Sequence, residues 1–345
     1  MNICHLTTTH PSNDARITRE SNTLRRSGHT VTIVTMSSGY PKWQHPFKLI
    51  KLAAESLLYD TDVFHCHEPD ALVIGLINKY IRGKKVIYDV HEHWPSELPY
   101  DIGIPGQLSP IIDRVEQWLS CRADTVIAVS ESVGKRFNNP IILPNYPDLT
   151  TTIIPLPDTI NLHTCSTISS NLHTFHGVND AIAAVQHLSS MGWDDVHLTL
   201  IGTVRVTLPT NNALVTCTGF IPHTEIPEML QASGVGLVLL QPDYYNIKIG
   251  LPNKLFSYMA AGLPVIATNL PEIKPIVEQT MCGILIEPGN IDEIVRAAVW
   301  LSEHPEEAFV MGRNGQMAIS STFNWQAVED RLVGVYRTLT TNFVG

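Results

Sequence analysis

In the segment IKIGLPNKLFSYMAAG, Lys248 and Lys254 flank Gly250, Leu251, Pro252 and Asn253 where a helix would begin. Pro252 suits the first turn, Leu255, Phe256, Met259 and Ala260 make one apolar face, and Gly262 suits the end. The free amides of such a helix start attract an anion. A cation there opposes the macrodipole unless an anion joins it, so the lysines read either as part of a phosphate site or as a solvated surface pair.

A second candidate is His91 in VIYDVHEHW, directly after an apolar run that reads as a strand. An imidazole at a strand's carboxyl end can exchange protons or hydrogen bonds with a ligand near neutral pH. Glu92 and His93 compete with it for that position. His65 and His67 in FHCHE alternate on an earlier strand and read as one core residue and one at the edge of a site. No histidine pair has metal spacing on a helix, so no metal ligand is expected. In HPSNDAR, Asp14 and Arg16 read either as site residues or as a helix cap with its first-turn partner.

These residues need elements to hold them. NICHLTT, HTVTIVTM, DVFHCHE, KVIYDVHE and DTVIAVS read as strands, separated by helices over 17–26, 71–81 and from Ser109, with Ser109 as cap and Pro110 in the first turn. That alternation predicts a parallel sheet covered on both faces. The proline-rich stretch LPNYPDLTTTIIPLPDT interrupts it and reads as an interdomain connection. A second alternation follows: LHTCST, a helix over 178–188, VHLTLIG, ALVTCTG, a helix from Thr224, GVGLVLLQ, the Pro252 helix, PVIAT, a short helix near Glu272, GILIEPG, and helices over 291–303 and 305–319. The expected organisation is an N-terminal domain at 1–150, a linker at 151–162, a C-terminal domain at 163–322, and a helix at 323–345 that crosses back to the first domain. Trp325, Val328, Leu332 and Tyr336 give that last helix an apolar face. Doubly wound sheets bind ligands beyond the carboxyl ends of their strands, so two such domains are expected to face each other across a cleft.

Composition narrows the function classes. The chain has 345 residues and 44% hydrophobic content, enough for two cores, and its net charge of −10 argues against a general nucleic-acid binder. Residues 1–150 hold 15 Lys+Arg against 16 Asp+Glu, leaving 8 against 17 for the remainder. Two lysines beside one helix start in that acidic half therefore need a reason. The six cysteines form no CxxC pair and read as free thiols in a reducing compartment. The first residues do not read as a secretory signal and no run suits a transmembrane helix, so a cytoplasmic location is expected. Lys42, Lys48 and Lys51, interleaved with Trp43, Phe47, Leu49 and Ile50, read either as a membrane-surface stretch at the inner face or as an ordinary surface helix.

Across nearly its whole length the chain resembles the retaining glycosyltransferases of family four, which have the GT-B fold of two Rossmann-like domains. The resemblance rests on IGLPNKLFSYMAAGLPVIATNLPEIKPIV followed by CGILIEPGN, and on HPSNDARITRESNTLRRSGHTVTIVT, DVFHCHEPDALVIGLI, VIYDVHEHWPSE and RADTVIAVSES, all in family order. It implies sugar transfer from a nucleotide-diphosphate sugar to a glycan or lipid-linked acceptor, with retention of configuration, no bound metal and no further cofactor. It places His91 beside the reacting sugar, and the Lys248 to Ser257 segment on the donor.

Four positions depart from the family's pattern. Ser257 and Ile249 stand where two glutamates hold the ribose and the transferred sugar, and Ser170 and His176 stand where an arginine and a lysine hold the diphosphate. A hydroxyl makes one neutral hydrogen bond where a carboxylate accepts two, and a histidine supports an anion only when protonated. Hence two rivals to an active transferase: a degenerate transferase-like subunit that serves a protein partner, and a pseudo-glycosyltransferase acting on a nucleotide-activated cyclitol.

Overall fold

A computed structural model describes residues 1–36, 42–101, 105–149, 161–208, 213–222 and 225–341. Of the expected linker, residues 151–160 lie outside this set. The chain forms two compact units: Met1–Asn145 with Val328–Gly345, and Tyr146–Ala327.

The first unit is a six-stranded parallel sheet in the order β2-β1-β3-β4-β5-β6. Its strands are β1 (Asn2–Thr7), β2 (Thr30–Thr35), β3 (Val63–Cys66), β4 (Lys85–Val90), β5 (Thr125–Ala128) and β6 (Ile141–Ile142). The helices between them are α1 (Ala15–Arg26), α2 (His45–Ser56), α3 (Pro69–Arg82), α4 (Trp94–Asp101), α5 (Ser109–Ser120) and α6 (Glu131–Gly134). The order in which successive strands are added reverses between β1 and β3, which run parallel, and this makes the carboxyl ends of those two strands the switch point where doubly wound sheets bind ligands. Because the strands are buried on both faces, Leu6, Phe64, Ile87 and Ile127 are all inaccessible.

One expected cap is absent. Ser109 is helical, at φ −51° and ψ −42°, because a 3₁₀ turn over Gly106–Leu108 already leads into α5. Its hydroxyl donates instead to the carbonyl of Pro95 at 2.7 Å.

The second unit has the sheet order β12-β11-β10-β7-β8-β9, with the switch point between β10 and β7. Its strands are β7 (Thr164–Leu172), β8 (His197–Val204), β9 (Val215–Gly219), β10 (Val235–Val238), β11 (Val265–Thr268) and β12 (Gly283–Ile286). Its helices are α7 (Val178–Ser190), α8 (Ile226–Gln231), α9 (Tyr245–Ile249), α10 (Asn253–Ala260), α11 (Lys274–Thr280), α12 (Ile291–Glu303) and α13 (Pro305–Ser321). Pro252 caps α10 from outside, at ψ 122°, rather than sitting within its first turn. The far end closes as expected: the amide of Gly262 (φ +72°) bonds the Met259 carbonyl and the Leu263 amide bonds that of Tyr258.

The last helix, α14 (Trp325–Thr341), carries the apolar face its spacing predicts, with Trp325, Val328, Leu332 and Tyr336 all buried. From Val328 onward it belongs to the first unit.

Candidate active site

In the first unit a buried polar cluster forms at the switch point. His5 of β1 pairs in register with His65 of β3, and His65 with Ile87 of β4. Side chains alternate along strands, so His5, His65 and Asp89 fall on one face, and His67 and His91, just past their strand ends, continue it. His5 Nδ1 lies 2.9 Å from His67 Nε2, and His67 Nδ1 lies 3.1 Å from His91 Nε2. His91 Nε2 is also 3.3 Å from Asp89 Oδ2. Arg16, from α1, donates to both oxygens of Asp89 at 3.0 and 2.8 Å and to the Leu143 carbonyl at 2.9 Å.

The charges in this cluster are sorted by their surroundings. Burial alone would raise Asp89, but Arg16, His91 and hydrogen bonds from His65 and His91 outweigh it and hold the carboxyl well below its usual range. Glu20, equally buried and close to that negative charge, is pushed well above its usual range despite Arg16 at 3.0 Å. Burial likewise lowers His5, His65 and His67, so they are neutral imidazoles. With an ionised carboxylate at Nε2, His91 holds its proton on that nitrogen, which leaves Nδ1 as the atom for outside use.

Asp14 and Arg16 part company here. Asp14 is the cap of α1, accepting from the amides of Arg16 and Ile17 at 2.9 and 3.1 Å. Arg16 is buried and fully engaged by Asp89 and Glu20, so it positions the cluster instead of meeting a ligand. His93 turns toward α5, 3.9 Å from Asp113, and burial together with Arg136 lowers it to about 4. His10, the first residue of the HPSNDAR segment, packs its ring 4.9 Å from that of His91. Its loop is strapped by Glu68, which accepts from the Thr7 and Thr9 hydroxyls and the Thr8 amide at 2.5, 2.8 and 2.9 Å.

In the second unit a cavity of about 470 Å³ opens at the carboxyl ends of β7, β8 and β10 and the start of α10. Its polar lining is Ser169, Ser170, His176, Asn246, Asn253, Lys254 and Ser257, with Gly250, Leu251 and Pro252 between them. Apolar walls come from Ile168, Ile201, Phe220, Ile226 and Leu240. The strand register slips between Ile168 and Asn171, a bulge that places Ser169 and Ser170 at the cavity. Gly202, at φ +128°, is compulsory in this arrangement: a Cβ there would lie 1.7 Å from the Ser169 carbonyl oxygen.

The two lysines separate as well. Lys248 is exposed on α9 and does not line the cavity, so of the expected pair it is a surface residue. Lys254 is buried; its Nζ donates to the Thr167 hydroxyl at 3.1 Å, and burial lowers it to about 7. A lysine held this way gains most from an anion brought into the cavity. His176 is lowered to about 3 by burial, Lys254 and His173, so it is neutral; its Nδ1 accepts from the His173 amide at 3.0 Å. The Ser257 hydroxyl donates to the Asn253 carbonyl at 3.3 Å, which leaves its oxygen as an acceptor. Ile249 is buried and outside the lining.

The sequence matches the glycosyltransferase family 4 description over residues 18–145 and the glycosyl transferases group 1 description over residues 165–304. The chain belongs to this glycosyltransferase family. Curated relatives include an alpha-D-kanosaminyltransferase of Streptomyces kanamyceticus, 26% identical over 125 residues, or 36% of this chain and 31% of that one. Another is the MMP alpha-(1->4)-mannosyltransferase of Mycolicibacterium hassiacum, 28% identical over 154 residues, 41% of this chain and 35% of that one. The matched stretch thus spans about a third of each relative's length. Among solved structures, sucrose-phosphate synthase from Thermosynechococcus elongatus superposes with a TM-score of 0.75 at 16% identity, over 99% of both chains. HepE from Anabaena, in complex with UDP-glucose, gives 0.73 at 18% identity, over 98% of this chain and all of that one. These likenesses show the GT-B fold, which the two doubly wound sheets share.

Proposed function

We propose that this protein transfers a hexose from a nucleotide-diphosphate sugar to a glycan or lipid-linked acceptor, with retention of configuration and without a metal ion. The carrying observation is the buried Lys254 at the wall of the second unit's cavity, beside Ser169, Ser170 and the N-terminal end of α10. A diphosphate in that cavity restores the charge partner that burial denies the ammonium, and its neutral neighbours suit sugar and ribose hydroxyls. The relatives' names, one for mannosyl and one for kanosaminyl transfer, and the UDP-glucose held by HepE support a hexose donor. In this reading His91 offers Nδ1 to the reacting sugar, with Asp89 and Arg16 fixing its orientation.

Specific observations favour the rival classes, a partner-binding subunit or a pseudo-glycosyltransferase. Ile249 and the neutral His176 supply no charge at positions where the family carries it. Calorimetric titration with UDP, GDP, ADP, TDP and their sugar conjugates separates these readings. Saturable binding of one nucleotide, lost in Lys254→Ala, is the expected result; no heat from any member of the panel would remove the donor site and leave the protein-partner reading.

A further inference from the structure

We propose that two copies of this chain join through β12, an end strand of the second unit's sheet, which pairs antiparallel with its own image about a two-fold axis. Strands that end a sheet invite another strand through their unpaired backbone groups, and proteins normally blunt them with charge, proline or shortness. Of the strands that end the two sheets, β6 is only Ile141–Ile142, with Pro140 before it, and β2 and β9 interleave threonine with apolar residues. β12 reads Gly-Ile-Leu-Ile and carries neither a polar side chain nor a proline.

The bonds to β11 fix which backbone groups face outward. The Val265 amide donates to the Cys282 carbonyl at 3.1 Å and the Asn269 amide to the Ile286 carbonyl at 2.8 Å, with Val265 in register with Gly283 and Ala267 with Leu285. Bonding residues alternate along a strand, so Cys282, Ile284 and Ile286 turn their backbone toward β11, and Gly283 and Leu285 turn theirs away. The amides and carbonyls of those two meet no partner among the described residues. Glu287, next in the outward series, is already engaged, since its amide donates to the Glu293 carboxylate at 2.7 Å. That selects one register: Gly283 lies against Leu285 of the second copy, each exchanging both backbone bonds with it. Ile284 then faces its own image across the axis in the closer, non-hydrogen-bonded pair, apolar against apolar.

A groove of about 450 Å³ follows this edge. Its strand side is Ile284, Leu285 and Ile286, consecutive residues whose side chains point to opposite faces, so the groove runs along the open side of the strand and not over one face. Arg296 and Trp300 of α12 and Met311 of α13 form its helical wall. No residue of the groove lines the cavity at Lys254, and β11 separates the edge from β10. Charge and symmetry decide the occupant. The groove offers both signs, Glu293 and Arg296, and Arg296 is 67% exposed and only 3.9 Å from Glu293. A two-fold axis runs α12 of the two copies in opposite directions, so the basic part of one groove turns toward the acidic part of the other. A peptide of a single sign would set one of these charges against its like.

The test is sedimentation velocity of the full chain over a wide range of concentration, with amide hydrogen exchange read on the same samples. We expect a reversible dimer in which the Gly283 and Leu285 amides exchange about tenfold or more slowly than in the dilute, monomeric chain. Leu285→Pro removes the outward amide and spares the bonds to β11, because proline is tolerated where an end strand faces solvent. It should raise the dimer's Kd about thirtyfold or more, as each copy loses one bond across the axis. Trp300→Ser, in the helical wall, should raise it about tenfold. Leu58→Ser, at an exposed apolar site of the first unit, should change nothing. The proposal is overturned if wild type is monomeric at every concentration, or if Leu285→Pro and Trp300→Ser both dimerise like wild type, which would put the contact on another face. Exchange needs no variant: equal rates for the two amides in dilute and concentrated protein overturn the proposal even if Leu285→Pro fails to fold.

Discussion

Asp89 is the residue on which the His91 geometry turns, because one carboxylate receives Arg16 on both oxygens and still meets His91 at 3.3 Å. Asp89→Asn keeps the shape but removes the charge, which leaves the Arg16 guanidinium buried without its counterion. Breaking such a pair costs about 3–5 kcal/mol. Losing the fixed tautomer of His91 should lower turnover by about a hundredfold. Tyr336→Phe is the control within the same cluster: it removes the 2.7 Å contact with His65 Nδ1 but spares Asp89. It should cost only about 1 kcal/mol, with turnover unchanged. Thermal denaturation and single-turnover kinetics on both variants check this; equal losses of turnover would mean that Asp89 serves stability alone.

Lys254 makes a pH-dependent prediction of its own. Its folded value of about 7 is below the ordinary lysine range, so an anion that binds it raises that value and draws in a proton. Below about pH 7 the lysine is already charged and affinity for a nucleotide sugar is flat; above it, each pH unit weakens binding by up to about tenfold. Lys254→Met should bind weakly with no such slope between pH 6.5 and 8.5, about the span of the transition. Calorimetry across that range reads the slope directly, and a flat wild-type profile would contradict the placement of the diphosphate against Lys254.

At the scale of elements, the strand and helix alternation was legible because burial on both faces demands continuous apolar runs such as KVIYDV and TVIA, and helices between them show a 3.6 period. Local chemistry was read less well, since Ser109 and Pro252 each lie one position from the expected role, where a 3₁₀ turn and an extended cap decide the helix start. The β7 bulge left no mark in the sequence, although it builds one wall of the cavity. Its dependence on Gly202 is testable. Gly202→Ala places a methyl 1.7 Å from a backbone oxygen at a φ that L-residues avoid, so the strand ends must part. The expected cost is about 3 kcal/mol or more, combining backbone strain with lost strand contacts. Nucleotide binding should fall with it, whereas Gly219→Ala, at φ +72° with open space around its Cβ, should cost about 1 kcal/mol and leave binding intact.

At the scale of the whole chain, the residues that meet at His91 come from β1, α1, β3, β4 and α14, so their convergence depends on sheet order and not on any local spacing. That is why nothing in the sequence marked His5 and Glu20 while His91, at the end of an apolar strand, stood out. The same dependence makes α14 part of the first unit's core: Val328, Leu332, Val335, Tyr336 and Leu339 are all buried, and Tyr336 reaches His65. Burying five such side chains contributes on the order of 10 kcal/mol, comparable with the whole net stability of a domain. A chain ending at Ala327 keeps the second unit entire, including Trp325, whose amide bonds the Pro147 carbonyl at 2.8 Å. It should therefore lose the cooperative unfolding of residues 1–145, expose them to limited proteolysis, and still bind nucleotide through the Lys254 cavity. Retention of a protease-resistant first unit would show that its sheet is stable without α14, and loss of nucleotide binding would show that the second unit needs the first to form its cavity.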